Sequence, residues 1–263
     1  MPYQFNMPHG QLNIKGWERA SLDYPDRAVI TAILGICRFG ARIGYEGHCE
    51  TPMIYPNLPI AQGDEHLLSS DIAVEVEKNH FTIYPDPLQL PNHYTASPLD
   101  LIDKSHGSKR RIHHLSYHPL SVSSINSGIT EHFRTISYST ITEAIKAIQV
   151  LGKNCILVKR DFETAFRHIL VSPLDSPLLR FHWENTYYSE LFLPFGLRTV
   201  PYLFNIFAEV FDCVTASWVM AGIDRVTILS LYQSAVYNQT KYRRLRLSCC
   251  NKPLTISQLP SSS

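Results

Sequence analysis

The amino-acid sequence predicts an α+β fold, an antiparallel sheet packed by helices behind a helical, proline-rich N-terminal segment. Three observations predict it. Apolar residues recur at helical spacing in two separate runs, one through Val29, Ile30, Ile33, Leu34 and Cys37 and one through Leu203, Phe204, Phe207, Ala208, Phe211 and Val214. Between them, two pairs of strand-like runs flank short polar turns, at 97–115 and 178–193. Finally, the 263 residues are 44% hydrophobic and include 14 Tyr, 12 Phe and 3 Trp, enough to bury a core for one or two domains.

Charge and cysteine content narrow the class. A formal net charge of +1 fits neither a polybasic nucleic-acid binder nor an acidic disordered chain as the default. The average conceals a split, because the stretch from Arg225 to Ser263 has no Asp or Glu but holds Arg225, Lys241, Arg243, Arg244, Arg246 and Lys252. The cysteines at 37, 49, 155, 213, 249 and 250 form no C-x-x-C pair and no zinc-type spacing, so reduced, buried thiols are expected. No signal-peptide pattern and no run of ~18 apolar residues occurs. A cytoplasmic or nuclear protein is expected.

In the first segment, 1–96, Asp26 is placed to cap a helix that runs to Gly40. A second short helix is expected over Ser69–Lys78. The connectors Thr51–Pro59 and Tyr84–Pro91 are too rich in proline for central strands or helix interiors. In the second segment, 97–220, Ser97–Lys104 reads as an edge strand, Ser105–Arg111 as a polar turn and Ile112–Leu115 as the returning strand. Thr140 and Glu143 form a capping box ahead of the stripe Ile141, Ala144, Ile145, Ile148 and Leu151. A buried strand, Cys155–Val158, then delivers Asp161. Leu178–Trp183 and Tyr187–Leu193 form an aromatic hairpin, and Pro201 sits at the start of a long apolar helix. The third segment, 221–263, reads as a basic tail, disordered or out of frame; a frame change or mis-spliced end accounts for its lack of acids, and phosphate binding by Lys241–Arg246 is the alternative.

Two stretches carry the chemistry: Leu157-Val-Lys-Arg-Asp161-Phe-Glu-Thr-Ala-Phe166 and Leu193-Pro-Phe-Gly196-Leu-Arg-Thr-Val-Pro201-Tyr-Leu-Phe204. Together they resemble motifs A and B of reverse transcriptases, most closely those of retrotransposons of the DIRS (tyrosine-recombinase) group. Supporting matches are Tyr24-Pro-Asp26 and Ile43-Gly-Tyr-Glu-Gly47, and Ser121–Ile129 resembles the fingers loop S-V-N-x-x-I with an insertion or shifted register. The resemblance covers about residues 15–220 and is specific from 97 to 210. It implies an incomplete fingers/palm fold.

The same resemblance implies site residues. Lys104 and Arg110, with Arg111 as a substitute, would hold the triphosphate of an incoming deoxynucleotide; a solvated turn is the plainer reading of those charges. Asp161 and the Phe162 carbonyl would face two Mg²⁺ ions, Phe166 would be the steric gate against ribose, and Phe195 and Gly196 would approach the nascent base pair. Partners would be an RNA or DNA template–primer and dNTP. The third motif, Tyr-x-Asp-Asp, is absent, since no Asp-Asp pair exists in the sequence and Asp224 is the last acidic residue. One carboxylate in place of three leaves a site unable to hold two dications. The expectation is a reverse transcriptase fragment without activity, lacking thumb, RNase H and recombinase. Its alternatives are a nucleic-acid-binding module that retains template and primer contacts, and a non-functional product.

Overall fold

The computed structural model describes residues 12–49, 51–60, 63–90, 92–103, 107, 109–118, 123–133, 136, 142, 145–146, 148–149, 156–160, 164–220, 226–232 and 244–248, with backbone alone at 156–160, 215–220, 226–232 and 244–248. The architecture is mixed α and β. Its helices are α1 (Ile14–Ala20), α2 (Arg27–Phe39), α3 (Glu65–Glu77) and α4 (Val200–Met220). Its strands are β1 (Met53–Ile54), β2 (Phe81–Tyr84), β3 (Thr95–Ala96), β4 (Leu99–Asp103), β5 (Lys109–His113), β6 (Ile156–Arg160), β7 (Arg180–Trp183), β8 (Thr186–Glu190), β9 (Val226–Tyr232) and β10 (Arg244–Ser248). The chain divides into two compact units, the first built mainly from Leu34–Thr135 and Phe166–Phe204, the second from Lys15–Ile33, Ile136–Ala165 and Asn205–Ser263.

A five-stranded sheet, in the order β1-β3-β7-β8-β2, organises the first unit. It is mixed rather than antiparallel: β1 and β7 both run parallel to β3, while β7–β8 and β8–β2 are antiparallel. The parallel pairs arise because β1 and β3 belong to extended connectors, not hairpins. Strands β1, β2 and β3, all from the first 96 residues, complete the sheet of the aromatic hairpin. That hairpin turns on two residues, Glu184 and Asn185, instead of the three expected, because Thr186 already pairs with Trp183; both are at positive φ, the mirror-image turn that suits strand twist. Phe181 stacks on Tyr188 across it at 5.1 Å. With Leu68, Ile72, Phe81 and Leu99, Phe181 forms the core between sheet, α3 and β4.

Sequence expectations and structure agree at most element boundaries. Asp26 caps α2, its Oδ1 accepting from the Ala28 and Val29 amides at 3.0 and 3.2 Å. Helix α2 ends at Gly40, where φ is +78° and a Cβ would meet the Val171 backbone at 2.6 Å. Helix α3 begins at Glu65, four residues before the Ser69 expected. The hairpin β4–β5 is present, but its second strand starts at Lys109, three residues before the Ile112 expected, because Asp103 pairs with Lys109 in register and Lys109, Arg110 and Arg111 lie in the strand and not in the turn. The predicted helix near 140–151 lies outside the described residues except at isolated helical positions such as Ile145 and Ile148.

The second unit contains a three-stranded sheet, β10-β9-β6. Strand β6 pairs parallel with β9, from Ile156 opposite Val226 to Arg160 opposite Ser230, and β9 pairs antiparallel with β10. Regular strands thus occur within 221–263, where the sequence reading expected a tail. Trp17 of α1 packs edge-on against Phe207 at 5.4 Å.

Candidate nucleotide site

The Pro-Phe-Gly loop is positioned by the strands around it. Leu170 and Phe192 form a β-bridge, and the Leu193 amide donates to the Ile169 carbonyl at 3.0 Å. At Gly196 the backbone turns with φ +95° and lies so close to the end of β5 that a Cβ would come within 2.7 Å of the His113 carbonyl oxygen. Only glycine accommodates both the conformation and the approach. Asn126, 4% exposed, closes the contact. Its Nδ2 donates to the Gly196 carbonyl at 2.8 Å and to Ser116 Oγ at 2.7 Å, and its Oδ1 accepts from the Arg198 amide at 2.8 Å. Ile129, three residues further on, is fully buried.

Two motifs about thirty residues apart in sequence meet here. The rings of Phe166 and Phe195 are 5.3 Å apart, and Phe204 of α4 meets Phe166 edge-on at 5.6 Å. Phe166 is only 2% exposed, whereas Phe195 is half-buried. The face open to a ligand therefore belongs to Phe195, with Phe166 as its support. The structure brings Phe166, Phe195 and Gly196 together against β5, the strand that carries Arg110. Asp161, Phe162 and Lys104 lie outside the described residues.

The two arginines of β5 point to opposite faces, as successive side chains of a strand do. Lys109, Arg111 and His113 share the face toward α3 and β8. Lys109 pairs with Asp64 at 3.2 Å and Asp103 at 2.9 Å. The Arg111 side chain, 7% exposed, pairs with Asp71 at 2.7 Å and Glu190 at 3.5 Å and stacks over Phe81 and Phe181. Its guanidinium is engaged by carboxylates of its own unit. Arg110 is half-buried on the opposite face, and its Nε has no hydrogen-bond partner among the described residues.

Beneath Arg111 lies a charge cluster that sequence reasoning missed. Glu190 is fully buried, with Arg167 Nη1 at 2.5 Å and His113 Nδ1 at 3.7 Å. Glu75 of α3 pairs with Arg167 Nε at 3.2 Å and His80 Nδ1 at 2.9 Å. Burial alone would raise the Glu190 pKa, but Arg167, with His113 and Arg111, brings it down to about 2. Burial likewise works against the Arg167 guanidinium, yet Glu190 and Glu75 hold its pKa above the ordinary arginine value. Arg167 directly follows Phe166, so this cluster anchors the support ring to β8 and α3. The available signal was a carboxylate inside the apolar run Tyr187–Leu193, which must be paired if buried.

A two-metal site needs several carboxylates. Strand β9, the register partner of β6, contains no Asp or Glu. Among the described residues no group of three His, Cys, Asp or Glu could hold a metal ion. Asp161 and the Phe162 carbonyl, the donors expected for Mg²⁺, are not among those residues.

The sequence matches no family model and no curated protein. Among solved structures, the chain is similar to native prototype foamy virus protease-reverse transcriptase, with TM-score 0.45 and 16% identity over 78% of this chain and 27% of that one. It is similar to the foamy viral protease-reverse transcriptase dRH in complex with double-stranded DNA, with TM-score 0.45 and 13% identity over 78% of this chain and 36% of that one. For the same viral protein in complex with an RNA/DNA hybrid the values are 0.45 and 13%, over 84% and 28%. The chain thus spans between 27% and 36% of the length of these solved chains. No helix among the described residues is long and apolar enough to cross a membrane.

Proposed function

We propose that residues 97–220 derive from the fingers and palm of a retrotransposon reverse transcriptase of the DIRS group, and that the chain binds template–primer without polymerising. The observation that carries the reading is the meeting of Phe166 with the Pro-Phe-Gly loop at the end of β5, which joins three sequence matches at one place. In this reading Phe195 stacks on a base, Gly196 allows the backbone to approach it, and Arg110 with Lys104 contacts phosphate. Asp161 and the Phe162 carbonyl are remnants of the metal site. With no Asp-Asp pair to complete it, we derive no catalytic step through Mg²⁺. The cytoplasm or nucleus is the expected compartment.

A binding module is favoured over a product without a role by the half-open ring of Phe195 and by the fixed geometry of its loop. The test is a fluorescence-anisotropy titration with a recessed RNA/DNA primer–template at several salt concentrations, beside a primer-extension assay with Mg²⁺ and all four dNTPs. Binding that weakens steeply with salt, a shallower salt slope for Arg110→Gln, and no extension are the expected results. Extension abolished by Asp161→Ala would restore the enzyme and overturn the reading.

A further inference from the structure

We infer that Asn126 is the positioning residue of the Pro-Phe-Gly loop, holding Phe195 at the aspect from which it stacks on a base. The inference rests on the nucleotide-facing reading of that loop. Three features of the contact carry it. First, Asn126 is itself fixed: its amide donates to the Leu115 carbonyl at 2.9 Å, and the turn beyond it is closed by the Ser127 and Gly128 amides on the Ser124 carbonyl, both at 3.2 Å. Second, both its amide hydrogens and its oxygen are matched, by Ser116 Oγ, the Gly196 carbonyl and the Arg198 amide. Third, Gly196 and Arg198 are two residues apart, so the side-chain amide holds a carbonyl and an N–H as the backbone of a neighbouring strand would.

The chemistry leaves little choice of residue. Aspartate would set a carboxylate oxygen against the Gly196 carbonyl, acceptor facing acceptor. Glutamine is one methylene too long, and alanine or serine would leave the loop's carbonyl and amide without partners. Phe195 stands between two pinned points, the Leu193 amide on Ile169 and the Gly196 carbonyl on Asn126. Releasing the second frees the ring from Phe166 without touching the core clusters around Phe181 and Tyr94.

Arg198 is exposed next to the clamp, which makes trypsin a local probe. Limited proteolysis of the full chain compares cleavage after Arg198 with cleavage after Arg38, an exposed site on α2 that reports general unfolding. Asn126→Asp and Asn126→Ala are expected to speed cleavage at Arg198 about tenfold, the effect on local opening of losing buried hydrogen bonds. Cleavage at Arg38 stays unchanged. Ser116→Ala, which keeps both bonds to the loop, should leave Arg198 as protected as in the wild type. The functional readout is the preference for a template–primer with an intact templating base over one abasic there, which Asn126→Asp should abolish. Unchanged cleavage at Arg198 in both Asn126 variants overturns the clamp. Faster cleavage with an intact base preference overturns its role in positioning the ring. A wild-type chain with no base preference overturns the nucleotide reading itself, and the clamp is then decided by proteolysis alone.

Discussion

Glu190 holds a negative charge where water does not reach, and its partners fix how the first unit responds to acid. Its folded-state pKa, about 2, lies below the ordinary value of 4.5. A depressed carboxyl contributes stability that is fully present above pH 4.5 and is lost as pH falls toward 2, on the order of 3 kcal/mol. Denaturant unfolding across that window should show the loss, and Glu190→Gln should lack it. The same substitution at pH 7 should cost about 3–5 kcal/mol, because Arg167 and Arg111 would each lose a buried partner. Phe166, Phe195 and Gly196 were legible in sequence because each sits in a short motif. Glu190 was not, because its partners lie 23 and 79 residues away at Arg167 and Arg111, and no periodicity shows which charges will be buried together.

Elements with local signals were the easiest to place. Helix α2 was legible from its cap, its stripe and its terminal glycine, and the aromatic hairpin from its aromatic runs and the polar turn between them, whose third residue, Thr186, belongs to β8. Helix α3 begins one turn earlier than expected, at Glu65, and that first turn already carries Leu68 into the core. The mixed sheet was not legible, because the pairing of β3 with β1 and β7 is set by tertiary contact rather than by any turn. The loop between β8 and α4 depends on Gly196 for its approach to β5. Gly196→Ala should destabilise the first unit by about 1–3 kcal/mol through positive φ and the clash with the His113 carbonyl. A urea titration that moved the midpoint no more than a neutral surface substitution would contradict that account of the loop.

Across the molecule, the unit that brings Phe166 and the Pro-Phe-Gly loop together also takes strands from the first 96 residues. A fragment starting at Ser97 would lack β1, β2 and β3, and the β7–β8 hairpin would be left with two unpaired edges. It is therefore expected to aggregate where the full chain does not, a difference that size-exclusion chromatography of the two would reveal. Strands β9 and β10 were not legible, because their pairing partners are set by tertiary contact and the acid-free composition around them carries no strand signal. The measurement closest to the central claim is equilibrium binding of a recessed primer–template to the wild type and to Phe195→Ala, by anisotropy at one fixed salt concentration. The account predicts saturable binding by the wild type and a loss of roughly 5- to 100-fold in the variant, the worth of one stacked base. Equal affinities, or no binding by either chain, would contradict it.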